Sequence, residues 1–187
     1  MDIDFRNVPQ REAYPAALRA MRNPDFLKTP KYQEQLHRAK REGADERIVE
    51  FSRKLIARCG GLGIPMFVHT MVRTYDDQLS AVVRGVSNDW PNDGLWPHRF
   101  AAVDIIHGKL GWMDKPAIPH AWDVIGHIGK EVAKSMNLDV TWGGDFKRLY
   151  DPAHWELTGW REMLPPDERP HKPKKAGDLP VGMTVEK

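Results

Sequence analysis

Apolar and polar positions follow two periods along this chain, and the switches between them mark the elements. In residues 45–59, Ile48, Val49, Phe51, Leu55, Ile56 and Cys59 recur near the helical period, while Arg47, Glu50, Arg53 and Lys54 lie mainly off that stripe. That pattern predicts an amphipathic helix, which the glycines at 60, 61 and 63 should end. After Pro65, residues 66–72 read as a strand with Arg73 at its end, where a strand presents a side chain to a cleft. Leu79, Val82, Val83 and Val86 predict a helix over 76–87, with Asp76 or Asp77 as its cap. Residues 87–97 carry Asn, Asp, Pro and Gly and read as a loop. Residues 101–106 are apolar apart from Asp104 and read as a buried central strand, and 107–111 turn out of it. Trp122, Ile125, Ile128, Val132 and Met136 predict a helix over 120–136. Residues 138–142 read as a strand with a tight exit at Gly143 and Gly144, 151–154 as a short turn, and 155–157 as a last strand or strand edge. The predicted class is α+β: a small antiparallel sheet with helices packed on one side and a cleft on the sheet.

The flanks differ in composition. Residues 1–42 are polar with scattered aromatics and predict short helices over 13–21 and 29–41, an N-terminal helical extension. Residues 43–163 carry the main domain. Residues 164–187 are rich in Pro, Lys, Asp and Glu and predict a flexible C-terminal tail.

Composition narrows the function. The 187 residues suit one decorated domain, and 41% apolar content supplies a core. A net charge of +2 is too mild for a dedicated nucleic-acid binder, so no nucleic-acid partner is expected. Cys59 is the single cysteine, which excludes an intramolecular disulfide and a cysteine-based metal site and suits a small buried hydrophobe. No apolar run approaches a membrane-spanning length, so no membrane insertion is expected, and the first residues lack the apolar stretch of a secretory signal. P-loop, dinucleotide-binding and nucleophile-elbow patterns are missing from the sequence.

The chemistry lies in two stretches. One runs from Trp96 to His107 and holds His98 and Asp104; the other runs from Trp142 to Trp155 and holds Asp151 and His154. Two neutral imidazoles and one carboxylate match a hydrolytic zinc site, which takes three protein ligands and leaves a fourth position for water. The pKa of such a water falls to roughly 7, and a nearby carboxylate can take its proton and pass it to a leaving amine. His98, Asp104 and His154 are the candidate ligands and Asp151 the candidate base. In an extended chain His98 and Asp104 would be roughly 20 Å apart, so residues 97–100 must bend the chain back. His107 falls three after Asp104, which puts it on the opposite face of the strand and out of the ligand set. His127 and Glu131 have the spacing of a solvated helix-surface pair. Trp90 and Trp96 either wall a substrate cleft or close the edge of the core.

Together these residues resemble the zinc peptidase family of D-Ala-D-Ala carboxypeptidases and dipeptidases, phage L-alanyl-D-glutamate endopeptidases and the hedgehog-type fold. That family shows S-x-H-x-x-G-x-A-x-D, then W-G-G-x-W, then [DE]-x-x-H. His98, Ala102 and Asp104 match the first pattern, Trp142-Gly143-Gly144 the second, and Asp151 and His154 the third. Arg73 and Gln78 resemble the family's upstream R-x-x-x-x-Q. The resemblance covers residues 64–160, roughly half the chain. It implies zinc as cofactor, with Arg73 steadying the tetrahedral intermediate and Gln78, Trp142 and Trp96 on the substrate side. It also implies a metallopeptidase, carboxypeptidase or endopeptidase, that cuts a peptide bond in peptidoglycan stem peptides. Asp rather than Glu before the last histidine is more similar to the phage endopeptidase branch. The implied setting is a bacteriophage endolysin or virion-associated wall hydrolase, made in the host cytoplasm and acting on the cell wall after release. Two departures stand out. The chain is one residue shorter between His98 and Asp104, and it lacks the turn glycine, so Ala101 must allow the turn. The alternative is a non-catalytic structural or wall-binding protein on the same fold with a degenerate metal site.

Overall fold

A computed structural model describes residues 3–5, 8–113 and 117–168. Among these residues are five α-helices and four strands: α1 (Ala13–Met21), α2 (Pro30–Arg38), α3 (Glu46–Gly61), β1 (Met66–Thr70), α4 (Tyr75–Val83), β2 (Ala102–His107), α5 (Ala121–Ser135), β3 (Val140–Trp142) and β4 (His154–Leu157). The strands form one open antiparallel sheet in the order β1-β2-β4-β3. The architecture is α+β, as the periodicities predict.

Local chemistry sets the helix ends. Asp45 caps α3 by accepting from the Arg47 amide, and the stripe of Ile48, Phe51, Leu55 and Cys59 is fully buried. Thr29 caps α2 and Pro30 occupies its first turn. This helix stops at Arg38 rather than near 41, because the chain turns extended at Ala39, the Lys40 carbonyl accepts from the Val72 amide at 3.2 Å, and the Arg41 guanidinium bonds the Leu36 and Ala39 carbonyls. α4 is capped by Thr74, which forms a capping box with Asp77. It is shorter than predicted: Gly85 adopts φ +71°, a left-handed stop just past the helix, and Val86 is left exposed.

Alternation divides the sheet into two faces. Val103, Ile105 and His107 of β2 point one way. Trp155, paired with Val103 across the strands, packs against Phe51 of α3 in a tilted ring contact at 5.2 Å between centroids. A Cβ on Gly129 of α5 would collide with the Trp155 indole, so the missing side chain lets that helix sit flush on the sheet. α3 and α5 cover this face, and α1 packs on α5. α2 packs on β1, and the Tyr32 hydroxyl donates to the Met66 carbonyl at 2.7 Å. Ala102 and Asp104 of β2 point to the other face, as do His154 and Glu156 of β4, which pair with them.

Leu164 is buried in the core and Arg99 is ion-paired with Glu168. Most of the segment read as a tail, residues 169–187, lies outside the described residues. No helix among the described residues is long and apolar enough to cross a membrane.

Candidate metal centre

Strand register builds half of the site. Asp104 on β2 lies directly opposite His154, the first residue of β4, so both side chains rise from the same face. His98 arrives by a turn. Residues Pro97–Arg99 form one 3-10 turn, closed by the Arg99 amide on the Trp96 carbonyl at 3.1 Å and the Phe100 amide on the Pro97 carbonyl at 3.3 Å, with the Ala101 amide also donating to the Pro97 carbonyl at 2.8 Å. No described residue from 97 to 103 has a positive φ. The shorter loop therefore turns back without a glycine, and Ala101 accommodates it. The Arg73 amide donates to the His98 carbonyl at 2.8 Å and holds the turn against the segment that links β1 to α4. β1 ends at Thr70, so Arg73 lies three residues past the strand rather than at its end.

The three side chains converge. His98 Nε2 lies 3.1 Å and His154 Nδ1 3.2 Å from the same Asp104 oxygen, Oδ1. One ligand atom from each residue lies within 4.8 Å of the others, and all three are buried, at 4, 4 and 6% exposure. This group could hold a metal ion.

The outward nitrogens test that fit. His98 Nδ1 faces the Met71 carbonyl at 3.0 Å, which only accepts, so Nδ1 carries hydrogen and a neutral ring turns the Nε2 lone pair toward Asp104. His154 Nε2 faces Glu156 Oε2 at 3.1 Å, which likewise only accepts, so Nε2 carries hydrogen and Nδ1 is the nitrogen turned to Asp104. With both rings neutral, two lone pairs would face a carboxylate, an arrangement that a cation among them would satisfy. An acceptor behind each ligating ring is the usual support of a metal-bound histidine. Without a metal, the same carboxylates draw a proton onto His154 instead. Burial pushes the Asp104 carboxyl up, but the two imidazoles outweigh it and hold its pKa well below the usual range. Burial pulls His154 down, but its hydrogen bonds to Asp104 and Glu156 outweigh that and raise it to about 10. The pocket is built for positive charge.

Arg73 stands beside the group, with Nη2 3.3 Å from Asp104 Oδ2. Its Nη1 donates to Gln78 Oε1 at 3.3 Å. Gln78 is only 1% exposed, and its amide nitrogen donates to the Asp89 carbonyl at 2.6 Å and Ser87 Oγ at 2.8 Å. Its side chain ties Arg73 to the loop at 87–89. Trp96 and Trp142 are also buried and do not line the groove over the site. The Trp96 indole donates to the Arg73 carbonyl at 3.2 Å, and the Trp142 indole to the Pro152 carbonyl at 2.8 Å. Both brace backbone next to site residues, and Trp142 stacks on Trp155.

Asp151 opens on the same groove. Its amide donates to the Gly143 carbonyl at 3.1 Å, and its carbonyl accepts from the His154 amide at 3.1 Å. A Cβ on Gly143 would collide with the Asp151 carbonyl, so only glycine lets the loop return this closely. Burial raises the pKa of Asp151, and the Asp104 charge adds to that, against the two histidines and Arg73. Asp145, by contrast, is half-exposed and paired with Lys130 at 2.6 Å.

The groove has a volume of about 1040 Å³. Sequence reasoning did not assign its rim: Trp112 is 53% exposed, and Leu149 and Tyr150 are exposed as well. Trp112 meets the His69 ring at 5.2 Å in a T-shaped contact, and its carbonyl accepts the Trp122 indole N–H at 3.0 Å. Glu156, whose position two after His154 puts it on the same face of β4, also lines the groove. The Met71 carbonyl has no sequence signal.

No protein-family model matches the chain, and no curated protein matches it. Among solved structures it is similar to the crystal structure of the Serratia marcescens L-Ala D-Glu endopeptidase ChiX, at 25% identity and a TM-score of 0.50, over 72% of this chain and 91% of that one.

Proposed function

We propose that this chain is a zinc-dependent peptidase that hydrolyses a peptide bond in the stem peptides of bacterial peptidoglycan. The observation that carries the reading is the convergence of two imidazole nitrogens on a buried carboxylate, with a second carboxylate facing the same groove. The likeness in fold to an L-Ala D-Glu endopeptidase supports the substrate class and favours an endopeptidase. A bacteriophage endolysin or virion-associated enzyme, reaching the wall after release from the host cytoplasm, is the setting consistent with the Asp-x-x-His motif.

His98, Asp104 and His154 would hold the metal, and their nitrogen and oxygen donors suit zinc. Zinc, when bound, supplies Lewis-acid polarisation and lowers the pKa of a water to roughly 7. Asp151 takes the proton from the attacking water as the C–O bond forms and delivers it to the leaving nitrogen as the C–N bond breaks. The Arg73 guanidinium, held by Gln78 and by the Trp96 bond to its own carbonyl, stabilises negative charge developing on the carbonyl oxygen. The groove has room for several residues of a peptide chain.

The test is digestion of purified peptidoglycan by the zinc-loaded chain, with mass analysis of the fragments. New free amino and carboxyl ends within the stem peptide are expected, and their masses name the bond. An intact wall in the presence of one tightly bound zinc per chain would instead support a wall-binding protein.

A further inference from the structure

We propose that Glu156 is a positioning residue for the metal: it makes His154 a ligand through Nδ1 and thereby sets the affinity of the site. The inference rests on the metal-binding part of the reading above and not on which bond is cut. His154 and Glu156 are two apart on β4, so both project from the groove face of the sheet. Glu156 Oε2 lies 3.1 Å from His154 Nε2, and both side chains are largely buried.

The two histidines are supported differently. His98 is backed by a main-chain carbonyl, a neutral dipole fixed by the fold. His154 is backed by a side-chain carboxylate, which fixes the tautomer and also makes the ring a stronger donor through its charge. Without that carboxylate the His154 ring can carry its hydrogen on either nitrogen. It can also rotate half a turn about its Cβ–Cγ bond, which puts a carbon where Nδ1 stood. Either change takes the lone pair away from Asp104. The neighbours of Glu156 do not duplicate its role: its cross-strand partners are Ala102 and Thr141, and the Thr141 hydroxyl is bonded to Thr158.

The test uses the full chain and zinc alone as probe. Zinc affinity is measured by competition with a chromophoric chelator for wild type, Glu156→Gln and Glu156→Ala. The side-chain nitrogen resonances of His154 are recorded in the zinc-loaded proteins. The expected order of affinity is wild type, then Gln, then Ala, with Ala weaker by about 10- to 100-fold. Gln falls between because its carbonyl oxygen still accepts from Nε2–H without the charge. Wild type should show Nδ1 on the metal and hydrogen on Nε2. Equal affinity in all three, or zinc on Nε2 of His154, overturns the proposal. So does unchanged affinity with lost hydrolysis, which would make Glu156 the proton-transfer group. If the ordering holds but wild type releases no wall fragments, the positioning role stands and the peptidase reading falls.

Discussion

Asp104 and His107 are three residues apart on one strand, both buried, and the two faces of the sheet treat them in opposite ways. On the helix-covered face the protein saturates His107. Its Nε2 donates to the Met21 carbonyl at 2.8 Å, and its Nδ1 accepts from the Lys109 and Leu110 amides at 3.1 and 3.0 Å. Burial lowers its pKa and keeps it neutral. Nothing on that ring is left for chemistry; it ties the end of α1 to the end of β2. On the groove face each histidine has one nitrogen satisfied from behind and the other turned to a carboxylate that also offers lone pairs. Buried polar groups are normally paired donor to acceptor. The difference between a brace and a ligand set is therefore whether the pairing closes on neutral rings or needs an added positive charge, a proton on His154 or a metal.

The largest test of that contrast removes one member from each face. Asp104→Ala should lose the zinc and reduce wall hydrolysis to background, whereas His107→Ala should retain about one zinc per chain. Elemental analysis of both proteins decides it, and equal zinc in the two would dissolve the distinction. His98→Ala separates the short turn from the strand: it too should lose zinc, and a full complement would show that the 97–99 turn serves packing alone.

Within the groove, Asp151→Asn should keep zinc and fold but lose roughly 10²- to 10⁴-fold in rate, the usual cost of losing a general base. The amide keeps the size and can still hydrogen-bond but takes no proton at neutral pH. Zinc content and hydrolysis measured on one preparation check this; near-normal hydrolysis with full zinc would move the base elsewhere.

On the brace side the expected effect is on stability. His107→Ala leaves a buried carbonyl and two amides without their partner and should lower unfolding free energy by about 1–3 kcal/mol, read from denaturant melts of chelator-treated protein. A difference near zero would mean that water or a shift of the 108–111 turn replaces the ring.

The smallest expected effect is its pH dependence. His107 has a depressed pKa in the fold and the ordinary value near 6.5 when unfolded. The stability it contributes is thus fully present above pH about 6.5 and is lost as pH falls from there through the lower folded value. Between pH 7.5 and 5.5, chelator-treated wild type should lose more stability than chelator-treated His107→Gln. Parallel losses would show that His107 titrates alike in both states.

Much of this was legible in the chain. The periods of 3.6 and 2 located helices and strands, and alternation alone put His107 on the face opposite Asp104. The resemblance in ordered motifs, more than residue type, marked His98, Asp104, Asp151 and His154 as candidates, and the fold brings His98, Asp104 and His154 together. Gln78, Trp96 and Trp142 were less legible: a motif position says that a residue matters, not which way it points. Each is buried and bonded to backbone of another segment, Gln78 at Asp89, Trp96 at Arg73 and Trp142 at Pro152.

By itself, then, the sequence determined which elements form, which donor atoms are available and, except around α4, where Gln78 and Ala81 rather than Val83 and Val86 are buried, which side of each faces the core, because periodicity and side-chain chemistry act over a few residues. Only the tertiary structure decided that Asp104 stands against His154, 50 positions away, and that a 3-10 turn carries His98 back without the glycine. It also decided that the Met71 carbonyl orients His98 while the Met21 carbonyl satisfies His107. Strand pairing and hydrogen-bond closure join segments far apart in the chain, and no local pattern encodes which of them will meet.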